Sequence, residues 1–383
     1  MRILAINPGG GSTKVGLYDN LRPVFEENIR HSPAELKRFR SVLDQYDVRL
    51  KAAMNAFCGK DLDPVTLDAI VARGGTLKPL YSGIYRITPK VVHDIRAGNV
   101  QTMHPSLLGP LIAFELAQMV DKPAYFVDPE STDEFWKLSR LSGLPEIPRR
   151  ALSHALSVKT VAKQAARKLG KRYERCSFVV AHLGTGITIA AHLKGRQIDA
   201  SNANEDGPMA PQRSGALPAE GLVELCFNGL GVRLGNSKCK VQSAKCKVSE
   251  AEWRQVVSGQ RKAVLDRVQR HGGLLAYLGT DDIREVEARI IKRDEQAKLV
   301  YDTMIYQIAK EIGAYSCVLK GKIDAIVLTG GMTLSRRLVS ELKRWIKHLA
   351  PRVMVFPGEE EMKALVRAVL RLRKGLEKER VYE

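Results

Sequence analysis

Two stretches of this chain share one pattern: ILAINPGGGSTKVGLYDN at residues 3–20 and FVVAHLGTGITIAAHLKG at residues 178–195. Each passes from an apolar strand through a polar residue into a glycine-rich turn and a second apolar strand, which is typical of a β-hairpin with a glycine tip. When the two are aligned, Asn7 stands opposite His182. They begin 175 residues apart in a chain of 383 residues. The similarity therefore predicts a duplicated domain.

Between and beyond these hairpins, short β-branched runs alternate with helical stretches. Strand-like runs occur at DAIVARGG, AYFVDP, DAIVLTGG and VMVFPG, and helical ones at SLLGPLIAFELAQMV, SVKTVAKQAARKLG and QAKLVYDTMIYQIAKEIGAYSCVLKG. Such alternation favours α/β units around a central sheet. At roughly 150 residues per domain, the length predicts two or three domains.

The composition is that of a globular protein, with 44% hydrophobic and 27% charged residues. These values exclude a disordered chain, a collagen and a small disulfide scaffold. The apolar run in the N-terminal MRILAINPGG is too short for a signal peptide. The sequence contains no run of 18 apolar residues, so no membrane span is predicted. The six cysteines form no CxxC pair, so we expect reduced thiols and a cytoplasmic protein.

The net charge of +19 is the unusual feature of the composition. It is compatible with nucleic acid, a membrane surface or an anionic substrate. Aromatic residues make up only 6%, and no alternation of basic and aromatic residues suggests base stacking, so nucleic acid is the weaker reading. Part of the excess falls in residues 230–250, which we interpret as a basic surface insert, and part in the C-terminal helix.

A third glycine turn, at Gly330 and Gly331, follows the strand DAIVLTGGM. Three strand-to-glycine turns, the second containing Gly184 and Gly186, predict a phosphate ligand held by backbone N–H groups. None of the turns matches GxxxxGK[ST], which excludes a P-loop. None matches GxGxxG at the start of a helix, which argues against a dinucleotide site.

Arginines stand beside glycines at two places, Arg73 in VARGG and Arg213 in APQRSG. This setting leaves an open approach for a planar anion, and two such arginines could hold a carboxylate and a transferring phosphoryl group. The alternative is that each is a surface arginine paired with a nearby acid.

Acidic residues at element ends offer candidate metal ligands. Asp128 ends the strand AYFVDP and could hold Mg²⁺, or could cap the following helix. The run Glu359–Glu361 precedes the last helix, where the helix dipole alone would favour an acid, although one carboxylate could still reach a metal.

Histidines also lie near the predicted turns. His182 lies two residues before Gly184 and could donate a hydrogen bond to a phosphoryl oxygen, or could be a satisfied structural residue. His104 and His154 start helical stretches and are candidates to line the same cleft.

Taken in order along the chain, the stretches AINPGGGSTK, VARGGTLKPL, FVDP, HLGTGITIAAH, DGPMAPQRSG, YLGTDDIREVE, GKIDAIVLTGGM and FPGEEEM resemble the butyrate kinase branch of the acetate kinase family, within the actin and hexokinase ATPase superfamily. The resemblance implies an α/β fold of two duplicated actin-like (ribonuclease H-like) domains around a central nucleotide cleft. It implies an N-terminal domain at residues 1–150, joined by the C-terminal helix 360–383, and a second domain at residues 151–359 with the basic insert 230–250.

The resemblance also implies roles for individual residues. Arg73 and Arg213 would hold the acyl carboxylate and the phosphoryl group. His182 would stabilise the transition state, with His154 nearby. Asp128 would orient Mg²⁺ together with one glutamate of the run 359–361, for which Glu360 is the first choice. The residues expected at the ATP or ADP site are Asn7, Ser12, Thr13, Lys14, Gly184, Gly186, Asp282, Ile283, Arg284, Gly330 and Gly331.

The activity that this resemblance implies is a reversible kinase reaction. ATP would phosphorylate the carboxylate of a short or branched fatty acid, giving ADP and an acyl phosphate. An acetate or propionate kinase is the nearest alternative, and a nucleotide-regulated nucleic-acid-binding protein is a more distant one. The resemblance further implies a homodimer or a higher homo-oligomer.

Overall fold

A computed structural model describes residues 1–59, 64–227 and 250–383 of the chain. The basic insert expected at residues 230–250, with Cys239 and Cys246, lies outside the described residues except for its last position. In the described part of the chain, no helix is both long enough and apolar enough to cross a membrane.

The strands form two sheets. The first has the order β12-β5-β6-β4-β1-β2-β3 and the second has the order β11-β10-β7-β8-β9. The strands are β1 Arg2–Pro8, β2 Ser12–Asp19, β3 Arg22–Arg30, β4 Ala69–Arg73, β5 Ile84–Arg86, β6 Ala124–Val127, β7 Ser177–Leu183, β8 Ile187–Leu193, β9 Arg196–Ala200, β10 Ala325–Gly330, β11 Val353–Pro357 and β12 Glu379–Arg380.

The two sheets share a five-stranded unit, which confirms the predicted duplication. β3-β2-β1-β4-β6 in the first sheet and β9-β8-β7-β10-β11 in the second have the same order. In each unit the first three strands along the chain form an antiparallel meander. The fourth strand of the unit, β4 or β10, pairs parallel with the first strand, and the fifth, β6 or β11, pairs parallel with the fourth. Asn7 pairs with Lys14 and His182 pairs with Thr188, so the aligned residues occupy equivalent positions beside the turns.

Helices cover both faces of each sheet. They are α1 Pro33–Leu36, α2 Tyr46–Cys58, α3 Pro89–Ala97, α4 Leu108–Met119, α5 Ala155–Lys168, α6 Ala219–Phe227, α7 Glu250–Arg270, α8 Gly273–Leu278, α9 Ile283–Ile291, α10 Glu295–Val318, α11 Arg336–Ile346 and α12 Glu361–Arg373.

The alternation of side chains along β1 explains this layered packing. Leu4 and Ile6 join the cluster that includes α4, whereas Ile3 and Ala5 join the cluster that includes α12. In the second sheet, β7 divides its side chains in the same way between the clusters of α10 and α5. Because successive strand residues point to opposite faces, a central strand covered on both faces needs a continuous apolar run, as in Ile3–Ile6 of β1 and Phe178–Ala181 of β7.

The last helix returns to the first half of the fold. Leu365 and Val366 of α12 are fully buried against Ile3, Ala5 and their neighbours in the first sheet, and β12 pairs with β5. The division into domains at residue 150, with residues 360–383 joined to the first domain, stays a prediction.

Candidate active site

The ends of the central strands of both sheets border one large cleft of about 1280 Å³. The glycine turns after β1 and β7 and the segment after β10 line it from different sides. Of the residues expected from the sequence, those that line the cleft are Asn7, Ser12, Lys14, Arg73, His104, His154, His182, Gly184, Gly186, Arg213, Asp282, Ile283, Arg284 and Gly331.

Thr13 and Gly330 support the cleft without lining it. Thr13 is fully buried, and its Oγ1 lies 2.9 Å from Nε2 of His31. Gly330 has a φ of +96°, and a Cβ there would come within 2.3 Å of the Leu183 carbonyl oxygen. Glycine is therefore required at 330 both for the backbone conformation and for the close approach of the two strands.

Asp128 is not brought to the cleft. Its Oδ1 accepts hydrogen bonds from Ser82 Oγ at 2.6 Å and from the Gly83 amide at 2.9 Å, and the residue is 4% exposed. Its side chain thus anchors the loop before β5. Neither of the two expectations, a metal ligand or a helix cap, describes this position. The acid that does reach the cleft from this segment is Glu130, two residues later.

The glutamates at the start of α12 point to different places. Glu360 accepts from Arg367 at 2.9 Å and from Gln164 at 3.2 Å and does not line the large cleft. Glu361 is buried in the cleft wall, where it accepts hydrogen bonds from Asn7 Nδ2 at 2.6 Å and Ser157 Oγ at 2.8 Å. The structure therefore places Glu361 and the half-buried Glu359, rather than Glu360, at the cleft.

Arg73 lies between two of these carboxylates. Its Nη2 is 2.7 Å from Glu130 Oε1 and its Nη1 is 3.3 Å from Glu361 Oε2. Burial acts against the charge of Arg73, but Glu361, Glu130 and Glu359 outweigh it and raise the pKa of the guanidinium. The buried Nε of Arg73 has no hydrogen-bond partner among the described residues. Arg73 is thus held charged and in a defined orientation at the cleft.

Arg213 differs from Arg73 in its partners. In the part of the chain that the structure describes, no carboxylate lies within 4 Å of its guanidinium. Burial, assisted by the charges of Arg73 and Arg270 and opposed by Glu130, lowers the pKa of Arg213. The guanidinium lies against the second glycine turn, since a Cβ on Gly186 would be 2.2 Å from Nη1. Arg213 is therefore a partly buried cation available to an anionic ligand.

The histidines of the cleft are neutral at pH 7. His154 and His182 stack with their ring centroids 4.4 Å apart. Burial is the main cause that lowers the pKa of both, and the charges of Arg73 and Arg213 add to it. At His182 the carboxylates of Glu359 and Glu361 act in the opposite direction without reversing the shift. Burial also lowers the pKa of His104, whose Nδ1 lies 2.6 Å from Ser106 Oγ. A neutral imidazole can still donate one N–H to a ligand oxygen.

The far side of the cleft is built from α9 and the segment after β10. Asp282 caps α9 by accepting from the amide of Arg284, and its carboxylate pairs with the Arg284 guanidinium at 2.6 Å. Glu287 faces the same cavity and accepts from Tyr301 and Ser335. This wall is thus polar and ordered by its own hydrogen bonds.

Sequence reasoning missed Glu130 and did not select Glu361. Glu130 follows a proline in a loop, where no periodicity assigns a direction to its side chain. For Glu361 a signal was available, because it is the first residue of α12 and stands three and four residues before Ala364 and Leu365, on the buried face of that helix. Among the described residues, no group of three histidine, cysteine or acidic side chains is arranged to hold a metal ion by itself.

Substituting Glu361 by glutamine tests the charge network. Burial alone would raise the pKa of Glu361, but Arg73, His182, Ser157 and Asn7 lower it to about 2. Its charge therefore stabilises the fold above the ordinary glutamate pKa of about 4.3, and this contribution is lost as the pH falls toward the folded value. We expect the free energy of unfolding of Glu361→Gln, from urea titrations, to lie below wild type at pH 7 and to approach it as the pH decreases below about 4.

Glu360→Gln, at the neighbouring glutamate, is the matched control, since Glu360 is half-exposed and does not contact Arg73, Asn7 or Ser157. It should produce a smaller loss at pH 7. A deficit of Glu361→Gln that widens on acidification would contradict the assignment of the charge.

Comparison with known proteins gives a consistent result. The chain is 37% identical over 382 residues to the probable butyrate kinase of Clostridium botulinum strain Alaska E43, and 37% identical over 383 residues to butyrate kinase 1 of Clostridium acetobutylicum. Each match covers 100% of this chain and 99% of the relative. The family model of the acetokinase family matches residues 253–352 of this chain.

Among solved structures, Porphyromonas gingivalis acetate kinase superposes with a TM-score of 0.71 and 17% identity, covering 97% of this chain and 99% of that one. This likeness concerns the fold, and it confirms the expected duplicated actin-like halves around a cleft. Since the sequence identity extends over the full length of the relatives, the chain belongs to the acetokinase family, in the group that contains the butyrate kinases.

Proposed function

We propose that this protein transfers the terminal phosphoryl group of ATP to the carboxylate of a short or branched fatty acid such as butyrate or isobutyrate. The products are ADP and an acyl phosphate. The new bond joins a carboxylate oxygen to phosphorus, and the bond between that phosphorus and the bridging oxygen of ADP breaks. An acyl phosphate is itself a strong phosphoryl donor, so the reaction is readily reversible.

The observation that carries this proposal is the pair of arginines in the cleft between the glycine turns. Arg73 is held in place by Glu130 and Glu361, and Arg213 has no carboxylate partner among the described residues. A carboxylate approaching a phosphate faces repulsion between two anions. Two partly buried guanidinium groups would offset that repulsion and orient both reactants, which is the main requirement of phosphoryl transfer.

The acceptor chemistry fits the protonation states in the cleft. A carboxylic acid is ionised at pH 7, so the attacking oxygen needs no general base. The two stacked histidines, His154 and His182, are neutral, because the pKa of each is lowered. His182 is buried, and its Nδ1 has no partner among the described residues. Their N–H groups would serve as donors to phosphoryl oxygens, where charge develops during transfer.

The cleft also fits a nucleotide. Its volume of about 1280 Å³ exceeds that of a typical small-molecule site and leaves room for ATP together with a small acid. The turns at 9–11 and 184–186 offer backbone amides for phosphates. Asp282, Ile283, Arg284 and Gly331 would contact the nucleoside, in agreement with the expectation from the sequence.

Mg²⁺ fits the donor set at one place in the cleft. Glu359 is half-exposed, and its contacts to Lys14 and His182 are long, 3.7 and 3.8 Å, so its oxygens remain available. Mg²⁺ is usually held by substrate phosphates, waters and only one or two carboxylates. We propose that Glu359 would hold the ion, which supplies charge neutralisation to the phosphates, whereas Asp128 and Glu360 lie elsewhere.

A cytoplasmic location, a homodimer or higher homo-oligomer, and the absence of a nucleic-acid partner complete the proposal. They rest on the composition and the family resemblance.

A panel of acids tests the proposed substrate. Acyl phosphate formed from ATP with acetate, propionate, butyrate, isobutyrate and isovalerate can be trapped as the hydroxamate. Each buried methylene contributes about 0.8 kcal/mol, so we expect kcat/KM for butyrate or isobutyrate to exceed that for acetate by about tenfold or more. A maximum at acetate or propionate would indicate the alternative kinase, and no product with any acid would refute carboxylate phosphorylation.

Removing either arginine should reduce turnover. We expect Arg73→Ala and Arg213→Ala to lower kcat by about 10²-fold or more, as loss of a charge-stabilising donor typically does. Arg86→Ala is the control, because Arg86 pairs with Glu379 at the edge of the first sheet, away from the cleft. Circular dichroism verifies folding. Near-normal kcat in Arg213→Ala, which leaves no buried carboxylate unpaired, would count against the mechanism.

The metal assignment is tested within a single run of glutamates. Glu359→Gln should raise the Mg²⁺ concentration needed for half-maximal activity several-fold, because one carboxylate ligand is lost. Glu360→Gln should leave it unchanged. Equal shifts in the two variants, or a shift only in Glu360→Gln, would refute the role of Glu359.

A further inference from the structure

A fully buried arginine, Arg49, lies beneath the first glycine turn. It belongs to α2, is 0% exposed and does not line the cleft. An arginine is rarely this buried unless its guanidinium has hydrogen-bond or ion-pair partners. No motif in the sequence marks it, and the mechanism above does not employ it.

The guanidinium of Arg49 binds the backbone of the turn. Its Nη1 donates to the Ser12 carbonyl at 2.9 Å and to Thr13 Oγ1 at 3.2 Å, and its Nη2 donates to the Gly10 carbonyl at 3.0 Å. The guanidinium is held in turn by Gln45, whose Oε1 accepts from Nε and Nη2 at 3.2 and 3.0 Å. Two carbonyls of a flexible glycine segment are thus fixed by one planar, pre-organised group.

These contacts determine where the amides of the turn point. A peptide bond is planar and trans, so the C=O of one residue and the N–H of the next point in opposite directions. With the Gly10 carbonyl directed at Arg49, the Gly11 N–H points away from Arg49. The Gly11 carbonyl accepts from the His31 amide at 2.9 Å, which orients the following peptide in the same manner. The residues so oriented, Gly10, Gly11 and Ser12, line the cleft.

The charge of Arg49 is not neutralised within the described residues. Its bonds go to carbonyl, hydroxyl and amide oxygens, and no carboxylate in the described part of the chain lies within 4 Å. Burial lowers the pKa of Arg49 to about 10, with Glu35 acting in the opposite direction, so the group stays charged at pH 7. A positive charge close behind a turn attracts an anion on the other side, because the surroundings have a low dielectric constant.

The second half of the fold provides a contrast. There the glycine turn at 184–186 has a guanidinium, that of Arg213, directly against Gly186 and lining the cleft. The duplicated turns therefore use their cations differently: Arg213 can touch a ligand, whereas Arg49 can act only through the turn.

We infer that Arg49 is a positioning residue for the nucleotide phosphates, which holds the amides of the first glycine turn toward the cleft and adds a positive potential behind them. This inference rests on the proposed function, since it places a nucleotide against that turn. Arg49 does not touch the substrate in this arrangement and has no contact with the carboxylic acid.

The test compares Arg49→Lys and Arg49→Met with wild type. Lysine keeps the charge but cannot bridge both carbonyls, and methionine removes charge and donors alike. ATP binding is measured by calorimetry without acid, and KM for ATP and for butyrate are measured separately. Arg140→Lys is the matched control: Arg140 makes a bidentate pair with Asp133 at 2.6 and 2.7 Å outside the cleft.

We expect the Kd and the KM for ATP to rise about tenfold in Arg49→Met, equivalent to about 1.4 kcal/mol, and less in Arg49→Lys. The KM for butyrate should change by less than about twofold, because the acid does not contact the turn. Arg140→Lys should change neither constant, even if its melting temperature falls.

Unchanged ATP binding in both Arg49 variants overturns the inference, and so does an equal rise in both KM values. If Arg49→Met does not fold, Gln45→Leu decides, because it loosens the guanidinium without removing it and should raise the Kd for ATP by a smaller factor. Wild-type protein that binds no ATP would refute the proposed function as well, whereas wild-type binding with unaffected variants refutes only the role of Arg49.

Discussion

The architecture depends on a buried network of charges at the point where four elements meet. Arg73 ends β4, Asn7 lies near the end of β1, Ser157 lies on α5, and Glu361 begins α12. All four are joined through the Glu361 carboxylate. Withdrawing such charges from water costs several kcal/mol per ion unless each is paired and hydrogen-bonded. The same contacts that satisfy Glu361 therefore hold the last helix, the first sheet and the start of the second half in one arrangement around the cleft.

The cleft gains its chemical character from duplication followed by divergence. Both halves present a glycine turn after the first strand, because only glycine lets backbone amides approach a phosphate closely. The residue before each turn differs, asparagine at 7 and histidine at 182. The supporting cations differ as well, since Arg49 lies beneath one turn and Arg213 lines the cleft beside the other. In the proposed function, the first turn would hold phosphates and Arg213 beside the second turn would contact the group that is transferred.

The acidic residues show how far sequence reasoning reaches. The sequence pointed to the two segments that carry acids to the cleft, but the first choice within each segment, Asp128 and Glu360, does not line it. After β6 the cleft residue is Glu130, and Asp128 turns back to the loop at Ser82. At the start of α12 it is Glu361, and Glu360 faces Arg367. A shift of one or two residues along the chain changes the direction in which a side chain points. A sequence pattern can therefore locate the segment that reaches the cleft without identifying which of its residues does so.

The sequence by itself determined the fold class, the duplication and most of the cleft residues. Strand periodicity and glycine turns are local features, so they can be recognised in the amino-acid sequence. Arg49 and Glu130 required the tertiary structure. Neither belongs to a recognisable motif, and each has meaning only through a partner 36 to 57 residues away in the chain: Thr13 for Arg49, and Arg73 for Glu130. Packing across the sheet decides which of these groups meet, because a desolvated charge without hydrogen-bond partners is costly.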